Sequence, residues 1–113
     1  MALKEGDIVL LSLPQSDGVE KNRPVLLLRK LPPFNDFLVC GISSQIKQEV
    51  TGFDYVINPE SRSFQQTGLR QVSLIRLGFL ATVPSNKIPG SIGTIDNSLR
   101  RELISRLAKH LLS

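Results

Sequence analysis

Apolar residues along this chain come in short runs broken by proline and glycine, until the final stretch, where the spacing changes. Asp7 to Leu13 reads as a first strand, closed by Pro14. Gln15 to Asn22 is polar and carries the turn signal Asp17-Gly18, so it predicts a loop. Pro24 to Lys30, ended by Leu31-Pro32-Pro33, predicts a second strand, and Asp36 to Ser44 a third. Val25 to Leu28 and Phe37 to Ile42 are almost continuously apolar, the mark of strands buried on both faces or folded into a barrel wall. Asp54 to Ile57 and Ser73 to Thr82 add two more strands, the latter followed by a turn at Pro84-Ser85-Asn86.

In the last segment Leu99, Leu103, Leu107 and Leu111 recur every fourth residue, with Ile104 and Ala108 beside them. That period is helical, and Arg100, Arg101, Arg106 and Lys109 lie mostly off the stripe. Asp96 is placed to cap the helix, because a carboxylate there accepts from the free amides of the first turn. The leucine stripe reads as core or as a contact between copies. The expected fold is mostly β (α+β), a small barrel or sandwich with a terminal helix packed on it.

With 113 residues and no linker or repeat, one domain over 1–113 is expected, burying roughly 65% of its unfolded surface. The single cysteine, Cys40, lies in an apolar run and reads as an inert thiol in a reducing compartment. The opening residues lack the charged-then-apolar pattern of an export signal, and no apolar run reaches the ~20 residues of a membrane span. The expectation is a cytoplasmic chain without a membrane partner. Fourteen Lys and Arg against ten Asp and Glu give a formal charge of +4. This suits a polyanionic partner, and it suits plain solubility equally well.

The usual catalytic groupings are missing from the sequence. His110 is the one histidine, and it sits at the end of the helix, where interaction with the helix dipole accounts for it. One Cys and one His do not make a zinc site of the usual kind, and there is no phosphate loop or nucleophile elbow. No cofactor and no metal are called for. RNA cleavage fits what remains, because the substrate supplies its own nucleophile, the 2′-hydroxyl. The protein then has to hold the backbone, stabilise charge and assist proton transfer.

Arg23 stands between Asn22 and Pro24, directly before the second strand, and its guanidinium fork matches phosphate oxygens. Ser43 and Ser44 end the third strand, with Gln45 following. Antiparallel pairing around the Leu31-to-Asn35 turn brings Arg23 beside Ser43 or Ser44. Each residue has a plainer reading as well. Arg23 could pair with a surface carboxylate, the serines could cap backbone groups, and Arg76 could snorkel from its apolar strand. Asp17 and Glu20 could be solvated loop acids.

Gly6-Asp7-Ile8-Val9, Arg23-Pro24-Val25-Leu26-Leu27-Leu28, Phe37 to Gln45, Gly68-Leu69, Ser73-Leu74-Ile75-Arg76 and Ile92 to Asp96 occur in the order found in the MazF/PemK toxins. The chain resembles that family over nearly its whole length. The resemblance implies an SH3-like β-barrel that forms a homodimer, cleaves single-stranded RNA and is silenced by a cognate acidic antitoxin. It implies catalytic roles for Arg23 and for Ser43, where relatives commonly have threonine, and a phosphate-binding role for Arg76. Ser44, Gln45, Lys21, Asp17 and Glu20 would then contact substrate or close the loop over it. Some relatives carry an acid shortly after that second arginine, where this chain has Leu77-Gly78-Phe79. Two alternatives follow from the same resemblance: a catalytically degenerate relative, or a protein-binding toxin in the manner of CcdB. The CcdB reading is weakened by the lack of the terminal Trp-Gly-Ile through which CcdB acts; this chain ends His110-Leu111-Leu112-Ser113.

Overall fold

The computed structural model describes residues 3–14, 18 and 20–113, leaving aside the side chains of Leu13, Pro14 and Glu20. Six strands, β1 (Asp7–Pro14), β2 (Glu20–Leu31), β3 (Asp36–Ser43), β4 (Tyr55–Ile57), β5 (Ser73–Pro84) and β6 (Ser91–Thr94), precede one helix, α1 (Asn97–Leu112). They form a single sheet in the order β4-β5-β3-β2-β1-β6, with every pairing antiparallel. The sheet curls into a half-barrel with α1 packed on it.

Strand β2 shows why the sheet curls. Side chains alternate between faces, so Leu26 and Leu28 enter one core cluster while Val25 and Leu27 enter another. All four are fully buried, as the unbroken apolar run predicts. The first cluster, with Ile8, Cys40, Ile42, Ile75 and Leu77, is covered by Leu103 and Leu107 of α1. The second gathers Val9, Leu11, Phe37, Val39 and Ile88 on the other side. Burial, with the charge of Asp54 adding to it, pushes the Cys40 thiol far up, so it stays protonated and unreactive.

Three sequence expectations need correction. The stretch predicted as a loop up to Asn22 is already strand from Glu20, because Glu20, Lys21 and Asn22 pair with Pro14, Leu13 and Ser12. Strand β6 has no apolar alternation to announce it; it exists because Asp7, Ile8 and Val9 of β1 pair with it. Asp96 does occupy the N-cap position, yet its side chain makes no capping bond and instead accepts Gln66 Nε2 at 2.8 Å. Within the leucine stripe Leu103 and Leu107 belong to the core, and Leu111 is 69% exposed.

The helix is anchored through Arg100, whose Nη1 donates to the Leu28 carbonyl at 3.1 Å and lies 3.9 Å from Glu5. Glu5 also accepts Arg29 Nη1 at 2.6 Å and the Lys30 N–H at 2.9 Å. Further along α1, Arg106 donates to the Asp54 carbonyl at 2.8 Å.

Candidate nucleic-acid interface

The alternation that builds the core also places the polar residues. Arg23 shares a face of β2 with Val25 and Leu27, and Ser43 shares a face of β3 with Phe37, Val39 and Gly41. Arg76 lies between Ile75 and Leu77, which enter the first cluster, so its side chain leaves the opposite face of β5. Arg23, Ser43 and Arg76 therefore occupy one face, at the end of the second core cluster. Pairing fixes their neighbourhood: Val25 is opposite Gly41, and Gly41 is opposite Arg76. Those three residues form one row across β2, β3 and β5, spanning roughly 10 Å at ~4.8 Å per strand.

A cavity of about 340 Å³ opens on this row, lined by Arg23, Ser43, Gln45, Gln48, Arg76 and Phe79 among others. A second, of about 680 Å³, adjoins it and shares Arg23, Pro24, Ile42 and Ser43. It continues past Lys21, Ser44, Arg70, Gln71 and Ser73. Four cationic side chains (Lys21, Arg23, Arg70 and Arg76) thus line one continuous depression.

Arg23 is half-buried, and its Nε is a buried donor without a hydrogen-bond partner among the described residues. Leaving such a donor unsatisfied costs about 1–3 kcal/mol, more for a charged group. Among the described residues Arg23 forms no ion pair; their salt bridges join Glu5 to Arg29 and Arg100, and Glu102 to Arg106. Ser43 Oγ accepts the Gln45 N–H at 3.0 Å, the strand-end capping bond considered for it. That bond fixes the oxygen and leaves the hydroxyl proton available to a ligand.

The structure thus gathers Arg23, Ser43, Arg76 and Gln45 around one cavity, with Lys21 and Ser44 on the adjoining one. Asp17 lies outside the described residues, as does the side chain of Glu20, whose backbone begins β2. Sequence reasoning missed Gly41, Gln48, Arg70, Gln71 and Phe79. One signal was available: an isolated glycine inside an apolar strand marks a bulge or a close approach. The register of β3 on β5 does shift at Cys40/Gly41. Asp54 was also missed; it stands immediately before β4. It is buried and accepts the N–H groups of Val50 and Leu77, each at 3.0 Å.

Among the described residues no group of three or more His, Cys, Asp or Glu could hold a metal ion, and no helix is long and apolar enough to cross a membrane. In comparison with known proteins, the family model for the PemK-like, MazF-like toxin of type II toxin-antitoxin systems matches residues 4–111. No curated protein matches the chain.

Proposed function

Because this chain belongs to the PemK-like, MazF-like toxins of type II toxin–antitoxin systems, we propose that it is an endoribonuclease that cleaves single-stranded RNA without a metal. The observation that carries this reading is the buried Nε of Arg23, unpartnered among the described residues, in a cavity it shares with Ser43 and Arg76. A phosphodiester oxygen supplies the partner that this donor lacks, and the gain is largest when the phosphorus carries extra negative charge.

In the proposed reaction the 2′-hydroxyl oxygen attacks the adjacent phosphorus as the bond from phosphorus to the 5′-oxygen breaks. The products are a 2′,3′-cyclic phosphate and a 5′-hydroxyl end. The 2′-hydroxyl gives up its proton, and the departing 5′-oxygen takes one up. Arg23 and the Ser43 hydroxyl donate to the equatorial oxygens, and Arg76 neutralises the same phosphate from β5. Gln45 and Ser44 hold the flanking backbone, and Lys21 extends the contact into the second cavity. Asp17 and Glu20, which precede Arg23 in the sequence, are the acids this reading assigns to proton acceptance or to closing the loop over the strand.

A type II toxin is paired with an antitoxin. The cationic depression is a fitting seat for an acidic antitoxin segment, which would compete with RNA there. A homodimer and a cytoplasmic location complete the proposal. The test is cleavage of a long RNA in EDTA by wild type and by Arg23→Ala. Cleavage by wild type alone, leaving cyclic-phosphate ends, is expected. Equal cleavage by both proteins would refute the assignment.

A further inference from the structure

Phe79 is a phenylalanine that the fold holds at the cavity instead of in the core. It is 38% exposed and lines the cavity with Arg23, Ser43 and Arg76. Phe34 is more exposed, but it sits on the β2–β3 turn and lines neither cavity.

Three features fix the ring where it is. Cys40 pairs with Leu80 while Gly41 pairs with Arg76, so Leu77, Gly78 and Phe79 bulge out of β5. The root of the bulge is held by the full burial of Leu77 and by its N–H bond to Asp54. The ring itself lies against Gly41, where an added Cβ would come within 3.1 Å of Phe79 Cδ1 and 3.2 Å of Cγ. A side chain at 41 would crowd the ring, which would have to give way by a few tenths of an ångström. Gly41 is also the middle of the row Val25–Gly41–Arg76, so the ring occupies the ground between the two arginines' strands.

An exposed ring held beside guanidinium groups and a serine hydroxyl matches the two parts of a nucleotide, an apolar π face and an anionic ester. We propose that Phe79 is a stacking platform for one unpaired nucleobase of the bound RNA, the base of a nucleotide flanking the phosphate at Arg23 and Arg76. This deepens the nuclease reading and rests on it for the identity of the strand. Phe79 is then a positioning and specificity residue: it sets which base lies next to the reacting bond and takes no part in bond making.

The experiment measures binding of a single-stranded RNA oligonucleotide made uncleavable by a 2′-deoxy nucleotide at the mapped site, in intact form and with an abasic nucleotide at each flanking position in turn. Against the intact strand, Phe79→Ala is expected to weaken binding roughly 5- to 150-fold, the range for one base–aromatic stack. Phe79→Tyr should bind like wild type, and Phe79→Leu, which keeps apolar bulk without the π face, should bind like Phe79→Ala. At one abasic position wild type and Phe79→Ala should bind equally. Circular dichroism establishes that each variant is folded. Equal weakening of intact and abasic strands, or no weakening at all, overturns the platform while leaving the nuclease reading intact. If wild type cleaves no RNA, the nuclease reading fails separately, and the same binding series, run on an unmodified strand of mixed sequence, still decides for or against stacking. Absence of any RNA binding by wild type overturns both.

Discussion

Asp54 Oδ1 accepts the backbone N–H of Leu77 at 3.0 Å, one residue beyond Arg76 on the neighbouring strand. Its other oxygen accepts the N–H of Val50, which follows the loop carrying Gln45 and Gln48. One buried carboxylate therefore ties together two rims of the candidate site. Replacing it by asparagine leaves one acceptor for two donors and turns an amide N–H₂ toward a backbone N–H. A destabilisation of about 2–3 kcal/mol is expected, with cleavage falling roughly 10- to 100-fold as Arg76 and Phe79 lose their position. Urea unfolding and steady-state kinetics separate the two effects. Lost stability with unchanged kcat/KM would reduce Asp54 to a structural role.

Arg23 should show the reverse balance between function and stability. Its buried Nε has no partner among the described residues, and an unsatisfied buried donor of that kind is costly to the folded protein. Arg23→Met removes the unsatisfied donor and keeps much of the apolar stem. Stability is expected to be unchanged or to rise by about 1 kcal/mol, while cleavage drops roughly 100- to 1,000-fold, the usual loss of a transition-state donor. Denaturation midpoints and single-turnover cleavage rates check both halves.

Much of this site was legible in the sequence. The apolar runs of β2 and β3 and the turn between them fix antiparallel pairing, which is enough to bring Arg23 near Ser43. Arg70 and Phe79 were not legible, because each reaches the site through tertiary geometry. Arg70 lines the second cavity from the connection leading into β5, and Phe79 is placed by a bulge that pairing with β3 creates. Strand β6 was hidden for a related reason. Ser91-Ile92-Gly93-Thr94 has no alternation of its own and takes its conformation from β1. The Asp96 capping bond failed because a partner distant in sequence, Gln66, offered a better-placed donor.

Gly93 marks a crossing that tolerates no side chain. A Cβ at this position would collide with the backbone of Thr67 and the carbonyl oxygen of Gln66, and one at Gly68 would collide with the Ile92 carbonyl. Gly68 also has φ +73°, in the left-handed region that glycine adopts freely. Gly93→Ala should destabilise by about 3 kcal/mol or more, since backbone cannot step aside as a side-chain tip can. The urea midpoint should fall accordingly. An unchanged midpoint would mean that β6 does not hold this crossing in solution.

Glu5 should make the helix anchor sensitive to acid. Desolvation pushes its carboxyl up, but the Lys30 N–H, the Arg29 hydrogen bond and the charges of Arg29 and Arg100 outweigh it, so the folded value lies below the ordinary 4.5. The folded form then binds this proton less tightly than the unfolded chain. Its contribution is complete above the unfolded value and is lost as pH falls through the folded one. Glu5→Gln should cost about 1 kcal/mol or less near neutral pH, given the partial exposure of the cluster. The gap from wild type should close as the medium is acidified well below 4.5. Paired thermal melts across that range follow it.

The central claim is that the substrate's own 2′-hydroxyl attacks the phosphate held at Arg23 and Ser43. The most direct measurement places a single 2′-deoxy nucleotide immediately 5′ of the mapped scissile phosphate in an otherwise unmodified RNA. Wild-type protein is expected to bind this strand with the affinity of the parent RNA and to leave that one bond intact. Cleavage of the same bond at an undiminished rate would contradict the account, because it would require a nucleophile other than the 2′-hydroxyl.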